Sequence, residues 1–251
     1  MNNMSTTIYD YYHRNFVRTS IQRRLISENN FTYVNFFRYM MPIVNKLKPK
    51  RILDIGSGAG SLSLLLASRG YKVVGIDISA DAIKKSTQSA KILSLQSKVN
   101  FLNYDFLDFI NTEKFDLILC LEVVEHILDE LKFLRKIRKL LNNNGLIILS
   151  SPLNTAPLAR LGLAKSFDNK VGHLRRYSKS KLITLLNSNG LNVENVIKTE
   201  GVFRNSLFVF PILGFLIKLI RGPFVKLFTV IDDIVGGIFG FSDLIVIATK
   251  R

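Results

Sequence analysis

The chain contains a single cysteine, Cys120, among 251 residues, so it cannot form an intrachain disulfide bond. This scarcity fits a reducing compartment, and we expect a cytoplasmic protein. The first residues lack a basic segment followed by an apolar one, so we also expect no signal peptide. Cys120 itself falls within an apolar run and is expected to be a packed thiol.

Acidic residues are scarce as well: 19 Asp and Glu stand against 35 Lys and Arg, which gives a net charge of +16. Such a charge attracts the phosphates of nucleic acids or of anionic lipids, although the composition of a lysine-rich proteome is an alternative explanation. The chain is nevertheless 47% hydrophobic, which excludes disorder of the whole. Without internal repeats or low-complexity tracts, residues 1–251 are expected to form one domain.

Apolar strand-like runs alternate with helix-like runs after residue 50. We predict five strands at 51–55, 72–77, 99–104, 116–121 and 146–150. Helices are predicted from 61 to Gly70, from the capping Ser79 to about 95, and from Asp129 to about 141. Nearly continuous apolar strands separated by helices indicate a doubly wound α/β fold, in which helices cover both faces of a mostly parallel sheet.

Later segments extend this pattern. Ser178 is a predicted helix cap, residues 191–200 read as a sixth strand and 242–250 as a seventh. Residues 1–50 are aromatic and basic and are expected to form N-terminal helices. Residues 51–152 would be the cofactor-binding core, and 203–240 an apolar insertion or lid.

The segment RILDIGSGAGSLSLLLA (51–67) runs from the first strand through a glycine-rich turn into a helix. In doubly wound folds this turn binds a ligand at the carboxyl edge of the sheet. Gly56, Gly58 and Gly60 allow a sharp bend and a close approach of the ligand. Asp77 ends the second strand, 19 residues beyond Gly58, where its carboxylate could accept both hydroxyls of a ribose. A dinucleotide and S-adenosylmethionine fit equally well up to this point.

Two details separate these ligands. The dinucleotide pattern G-x-G-x-x-G is replaced by G-x-G-x-G, with Ser61 in the position of the third glycine. Asp54 also lies two residues before Gly56, where its carboxylate could meet the ammonium group of an amino acid but would repel a pyrophosphate. The turn therefore favours S-adenosylmethionine over NAD.

The ordered motifs LDIGSGAG, GIDIS, NYDFLDF and FDLILCLEVVEHI resemble those of class I S-adenosylmethionine-dependent methyltransferases. The resemblance covers roughly residues 50–154, and GHLRRYSKSKLITLLNSNG (172–190) resembles a later segment of the family. It implies a three-layer, seven-stranded sheet of order 3-2-1-4-5-7-6 with a reversed last strand. The residues that it assigns to S-adenosylmethionine are Asp54 at the methionine end, Gly56, Ser57, Gly58 and Gly60 in the turn, Asp77 at the ribose, Ile78, Asp105 and Phe106 around the adenine, and Leu121 near the methyl group.

The segment EVVEHI follows the fourth strand and resembles a motif of the ubiquinone-biosynthesis O-methyltransferases. It places Glu122, Glu125 and His126 near the acceptor, and a neutral His126 could take a proton from a hydroxyl group. His173, in GHLRRYS together with Arg175, is a further catalytic candidate. These side chains could instead cap a loop or lie in a basic surface turn. Glu122, Glu125 and His126 could also hold a metal ion, but we expect no metal.

The apolar insertion has 13 uncharged residues at 205–217, too few to span a bilayer, and Pro211 and Gly214 interrupt them. Lysines and arginines follow within 218–226, as in helices that lie in a membrane interface. Residues 205–228 are therefore expected to contact an anionic membrane at the inner face, although core packing or a homodimer contact would give the same pattern. A lid with an apolar lining and a segment that contacts the membrane would each suit a lipid, quinone or polyprenyl acceptor.

We expect an S-adenosylmethionine-dependent methyltransferase that methylates a small or lipid-like acceptor, most simply at oxygen. An RNA methyltransferase is an alternative because of the charge, but no nucleic-acid-binding module is visible and no N/D-P-P-Y/F-like motif follows the fourth strand. A dehydrogenase and a non-catalytic, membrane-associated binding protein are further alternatives. The glycine turn disfavours the first of these, and the intact cofactor motifs disfavour the second.

Overall fold

A computed structural model of the chain describes residues 20–210, 212–218 and 220–250. The part of the expected N-terminal helices that falls on residues 1–19 lies outside these ranges. None of the helices within them combines the length and apolar character needed to cross a bilayer.

The seven strands form one sheet of order β3-β2-β1-β4-β5-β7-β6. The strands are β1 (Arg51–Ile55), β2 (Lys72–Asp77), β3 (Val99–Asn103), β4 (Phe115–Leu121), β5 (Leu141–Pro152), β6 (Leu191–Thr199) and β7 (Asp243–Lys250). The first five run parallel, whereas β7 pairs antiparallel with both β5 and β6. The predicted order and the reversed last strand are confirmed.

Helices cover both faces of this sheet. They are α1 (Met41–Leu47), α2 (Ser61–Ser68), α3 (Ala80–Ile92), α4 (Glu130–Leu140), α5 (Pro157–Arg160), α6 (Lys165–Val171), α7 (Lys179–Ser188), α8 (Val202–Val209) and α9 (Pro223–Phe239). Alternate strand residues point to opposite faces, so Leu53 and Ile118 join the core beneath α4 and α7, while Ile52 and Leu117 join the core beneath α1, α2 and α3. The predicted three-layer arrangement is therefore confirmed.

The sequence pattern placed some element ends wrongly. Residues 142–145, between the helix predicted to end near 141 and the strand predicted from 146, are part of β5, which begins at Leu141, so α4 continues directly into this strand. The asparagines of this segment are turn formers in isolation, but pairing with β4, as at Phe115 and Leu141, draws the chain into the sheet. Helix α3 ends at Ile92 rather than near residue 95.

The segment before β1 and the apolar insertion pack against each other. Phe31 and Val34 form a buried cluster with Leu207, Ile220 and Val225. Arg204, 1% exposed, donates two hydrogen bonds to the Phe31 carbonyl oxygen, at 2.6 and 2.8 Å. Together the two segments cover part of the carboxyl edge of the sheet, where β1, β2, β4 and β5 end.

We expect Gly60→Ala to destabilise the protein by about 2–4 kcal/mol, because it combines a left-handed backbone with overpacking. Gly60 has φ +80°, and an added Cβ would lie 2.5 Å from the Phe101 ring. Urea unfolding followed by circular dichroism measures the loss.

The matched control is Gly58→Ala. Gly58 has φ +53° but no atom within 4 Å of an added Cβ, so only the backbone cost of about 1 kcal/mol is expected. Equal losses in the two variants would contradict the close packing of the turn against Phe101.

Candidate active site

The glycine turn between β1 and α2 is held tightly against the neighbouring strands. The amides of Gly56 and Ser57 both donate to the Ile76 carbonyl oxygen, at 2.8 and 2.9 Å. Gly56 has φ +72°, and a Cβ there would come within 2.5 Å of Val123, just after β4. Only glycine fits a backbone of this conformation so close to a neighbouring loop.

Asp77 fixes the same turn from the end of β2. One carboxylate oxygen accepts a hydrogen bond from the Gly58 amide at 2.8 Å, and the other accepts one from the Ser79 amide at 2.9 Å. Asp77 is 2% exposed, yet it borders a cavity at the carboxyl edge of the sheet. Its carboxylate is therefore a positioned hydrogen-bond acceptor for a ligand in that cavity.

This first cavity has a volume of about 250 Å³. The residues expected around a cofactor that border it are Gly56, Asp77, Ile78, Asp105 and Phe106. Its wall also includes Tyr104, Leu107, Val123, His126, Ile127, Leu128 and Asp129. Asp105 accepts a hydrogen bond from the Leu107 amide at 2.8 Å, which orients its carboxylate.

The other expected cofactor residues lie beside or behind this cavity. Asp54 is buried on the face covered by α2, where the Ser63 hydroxyl donates to it at 2.6 Å. Burial raises the pKa of Asp54 to about 7, and Asp77 adds to the shift although the Ser63 hydrogen bond opposes it. The Ser57 hydroxyl is buried without a hydrogen-bond partner.

A second cavity, of about 420 Å³, lies between the carboxyl edge, the segment before β1 and the insertion. Its wall consists of Thr32, Tyr33, Asn35, Phe36, Met40, Leu62, Leu121, Glu122, His126, Ser150, Pro152, Phe167, Val171, His173, Arg176, Thr199, Glu200, Asn205, Phe208, Ser242, Asp243 and Ile245. Of the described residues that line either cavity, His126 is the one that lines both. It therefore lies where their contents would meet.

His126 is oriented by the loop after α6. Its Nδ1 lies 3.0 Å from the Gly172 carbonyl oxygen, which can only accept a hydrogen bond. This contact favours the tautomer with the proton on Nδ1, so the lone pair is on Nε2. The ring also packs edge to face on that of His173, with 4.9 Å between the ring centres.

His173 belongs to a chain of hydrogen-bonded side chains next to His126. Its Nδ1 lies 2.8 Å from Asp168, which also accepts two hydrogen bonds from Arg176, at 2.6 and 2.8 Å. Although partial burial opposes the shift, the hydrogen bonds from His173 and Arg176 hold the pKa of Asp168 below its ordinary value. Arg176 is thus the arginine beside His173, while Arg175 pairs with Glu130 at 2.7 Å.

Glu125 is completely buried, with one carboxylate oxygen 3.3 Å from the Ser151 hydroxyl and the other without a hydrogen-bond partner. Burial, and then the neighbouring Glu122, raise its pKa well above the ordinary value. Candidate ligand atoms of Glu125, His126 and His173 all lie within 4.8 Å of one another. These three could hold a metal ion if Glu125 lost its proton, so His173 replaces Glu122 in the trio considered from the sequence.

Glu122 follows β4 in a left-handed conformation with φ +55°, which is strained for a glutamate. Its carboxylate accepts a hydrogen bond of 2.5 Å from the Ser150 hydroxyl at the end of β5. Leu121 also borders the second cavity, next to Glu122. The four catalytic candidates are thus brought together at one edge, with Glu125 beneath the surface of the cavity.

A family model described as a methyltransferase domain matches residues 22–196. The chain belongs to this family. A ubiquinone biosynthesis O-methyltransferase of Glaesserella parasuis is 36% identical over 124 residues, which are 47% of this chain and 52% of that protein. One of Rickettsia typhi is 31% identical over 109 residues, 43% of each chain. The chain thus spans about half the length of the curated relatives that it matches.

Solved structures share the fold over more of the chain than the curated relatives match. Magnesium protoporphyrin IX methyltransferase from Synechocystis, with bound SAM, has a TM-score of 0.61 at 16% identity and covers 98% of this chain and 97% of its own. An N-methyltransferase from Bradyrhizobium japonicum, in complex with S-adenosyl-l-homocysteine, has a TM-score of 0.62 at 16% identity, covering 97% and 98%. At this identity the likeness shows that the methyltransferase fold is shared.

Several groups around the second cavity were not expected from the sequence, among them Asp168, Arg176, Glu200 and Asp243. One signal was available, because a reversed β7 begins at the edge where the parallel strands end, which places Asp243 next to Pro152. The others depend on how the loops after β5 and β6 fold back. No spacing in the sequence indicates that arrangement.

We expect the difference in melting temperature between Glu125→Gln and wild type to be more favourable to the variant at pH 8 than at pH 5. The folded protein keeps a proton on Glu125 where the unfolded chain has lost it, so this group lowers the free energy of unfolding as pH rises above about 4.5. Glutamine keeps the shape and cannot ionise. The melting temperature of the variant relative to wild type should rise by at least about 3 °C between these pH values.

Glu28→Gln, at an exposed position, is the matched control and should change stability equally at both pH values. If Glu125→Gln instead lowers stability more at pH 8 than at pH 5, Glu125 is ionised in the folded protein. The assignment of a neutral, buried carboxyl group would then be wrong.

Proposed function

We propose that this chain binds S-adenosylmethionine in the first cavity and transfers its methyl group to an oxygen atom of a small or lipophilic acceptor in the second. The observation that carries the proposal is the position of His126, in the wall that the cavities share. The family membership and the relatives named ubiquinone biosynthesis O-methyltransferase support both the reaction and its oxygen acceptor.

The wall of the first cavity supports S-adenosylmethionine as the cofactor. Asp77 would accept the ribose hydroxyls, while Asp105 and its neighbour Phe106 would border the adenine, together with Ile78. Asp54 lies behind the turn, and a positively charged methionine end near it would favour the ionised form of its carboxyl group. Two structural neighbours hold bound SAM or S-adenosyl-l-homocysteine, which supports this assignment.

The reaction requires alignment and the removal of one proton. The acceptor oxygen attacks the methyl carbon in line with the sulfur, a bond forms between oxygen and carbon, and the carbon–sulfur bond breaks. S-Adenosylhomocysteine leaves as a neutral thioether. The hydroxyl proton passes to Nε2 of His126, while the Gly172 carbonyl holds Nδ1–H and the neighbouring His173 helps to orient the ring.

We propose that the chain is cytoplasmic and that its insertion contacts the inner face of an anionic membrane. Seven large apolar residues of α9 are exposed, and five of them recur at intervals of three and four, which places them on one helix face: Phe224, Leu227, Ile231, Ile234 and Ile238. The other two are Val230 and Phe239. Arg221 and Lys226 are exposed nearby. We propose that this α9 face enters the membrane interface while the basic residues approach lipid phosphates.

We expect His126→Gln to lower kcat for methyl transfer by about 10² to 10⁴, the usual contribution of a general base. The assay follows labelled methyl from S-adenosylmethionine into a lipid extract. The dissociation constant for S-adenosylhomocysteine should stay within about twofold, since general-base catalysis acts on the acceptor proton rather than on the cofactor. Ile110→Ala, at an exposed position outside both cavity walls, is the control and should leave kcat unchanged. An unchanged kcat in His126→Gln would show that His126 is not the general base.

We expect the triple variant Phe224→Gln, Ile234→Gln and Ile238→Gln to bind phosphatidylglycerol vesicles at least tenfold more weakly than wild type. Burying each such side chain contributes about 1.5–3 kcal/mol when complete, so partial insertion of three exceeds this factor. Cosedimentation with the vesicles measures binding. Deletion of the insertion is unsuitable because Arg204 and Val225 belong to the core.

The matched control replaces three exposed apolar residues elsewhere, Ile110, Leu128 and Leu161, by glutamine. It should bind vesicles like wild type. If both triple variants bind the vesicles equally well, the exposed face of α9 does not contact the membrane. Sedimentation velocity tests the alternative. If the wild type and the control are dimers and the α9 triple variant is a monomer, this face forms a homodimer contact instead.

A further inference from the structure

Three carboxylates line the second cavity from three different elements. Glu122 follows β4, Glu200 follows β6, and Asp243 begins β7. They come together because β7 runs in the opposite direction, so that its first residue lies at the edge where the other strands end. Glu200, like Glu122, has a left-handed backbone, with φ +61°.

The negative charges of this wall are poorly compensated. Burial raises the pKa of Glu200 to about 7, with Arg204 opposing the shift and Glu122 adding to it. Burial, then Glu122 and Glu200, raise the pKa of Asp243 well above its ordinary value. A ligand with a positive charge would relieve this mutual repulsion.

The cations near this wall already have partners. Arg176 is the one arginine or lysine among the described residues of the wall, and its guanidinium donates two hydrogen bonds to Asp168. Arg204 lies behind the wall and donates both of its hydrogen bonds to the Phe31 carbonyl oxygen. Among the described residues, neither arginine donates a side-chain hydrogen bond to Glu122, Glu200 or Asp243.

Polar atoms without partners provide an independent sign of a ligand. Within the described residues, four buried oxygens of the wall have no hydrogen-bond partner: Thr199 Oγ1, Asn205 Oδ1, Ser242 Oγ and Asp243 Oδ1. Thr199 and Ser242 are each only 2% exposed. Buried polar atoms are rarely left unpaired in folded proteins, and all four of these oxygens can accept a hydrogen bond. The wall is thus suited to a ligand rich in donors.

A single metal ion is a poor match for these carboxylates. In the described ranges, the one group of three candidate ligands that converge within 4.8 Å is Glu125, His126 and His173, which includes none of Glu122, Glu200 and Asp243. Their more open arrangement fits a larger organic cation. Tyr33, Phe36, Phe167 and Phe208 also line the cavity, and aromatic faces attract such cations.

We propose that the second cavity binds an acceptor that carries a protonated amine, which Glu122, Glu200 and Asp243 hold while the acceptor hydroxyl faces His126. The placement of the hydroxyl rests on the proposed methyl transfer, whereas recognition of the amine does not. Thr199, Asn205 and Ser242 accept further hydrogen bonds from the same ligand.

Three probes with the same phenol ring test the sign of the charge: tyramine is a cation, 4-ethylphenol is neutral, and 3-(4-hydroxyphenyl)propanoate is an anion. Each is titrated calorimetrically at pH 7.5 into the full chain saturated with S-adenosylhomocysteine. We expect tyramine to bind at least tenfold more tightly than 4-ethylphenol, and the anion to bind most weakly. If 4-ethylphenol or the anion binds as tightly as tyramine, the proposal is wrong.

Charge-neutral variants locate the interaction. Glu200→Gln and Asp243→Asn should each weaken tyramine binding at least fivefold and leave 4-ethylphenol unchanged. Glu194→Gln, exposed on β6 away from the cavity, should leave both unchanged. Tyramine binding that survives both cavity variants would overturn the assignment to these carboxylates.

Two further readouts separate possible causes of failure. The melting temperature and the affinity for S-adenosylhomocysteine show whether each variant is folded, and the comparison of the three probes on wild type needs no variant. If wild type does not bind S-adenosylhomocysteine, the proposed methyl transfer fails, and the same probes titrated without it still test the amine site.

Discussion

The two hydrogen bonds that Asp77 accepts from the Gly58 and Ser79 amides are the constraint on which the site depends. They join the first and second strand–helix units, so the glycine turn cannot move without the end of β2. The turn in turn packs against Val123, which begins the loop that carries Glu125 and His126. A ligand held by Asp77 is therefore placed at a fixed distance from His126, and alignment of this kind is most of what methyl transfer asks of a protein.

The reversed β7 adds residues of its own to the same edge of the sheet. A parallel last strand would end there, whereas this one begins there and contributes Ser242 and Asp243 to the second cavity. The insertion before β7 returns over this edge and is attached by Arg204 to the Phe31 carbonyl oxygen. The reversed strand thus brings polar residues into the second cavity, and the insertion that precedes it contributes Asn205 and Phe208 to the same wall. The first cavity uses only the parallel part of the sheet.

The periodicity of the apolar runs predicted the sheet and its helices, because packing on two faces imposes a pattern that local sequence carries. The glycine turn could be predicted because a left-handed backbone needs glycine. Asp77 could be predicted because it ends the second strand of the apolar pattern. Glu200 and Asp243 could not be assigned to the site, because contacts between distant loops place them there. Asp54 showed a different limit: its spacing indicated a position at the turn, but strand alternation directs its side chain under α2 towards Ser63.

Calorimetric titration of the wild-type chain and Asp77→Ala with S-adenosylhomocysteine, with NAD in parallel, tests the central claim most directly. We predict that wild type binds S-adenosylhomocysteine and not NAD. Each ribose hydroxyl bonded to a carboxylate contributes about 1.5–3 kcal/mol, so Asp77→Ala should weaken binding at least a hundredfold. Binding of NAD alone, or unchanged affinity in a folded Asp77→Ala, would contradict the account of the first cavity.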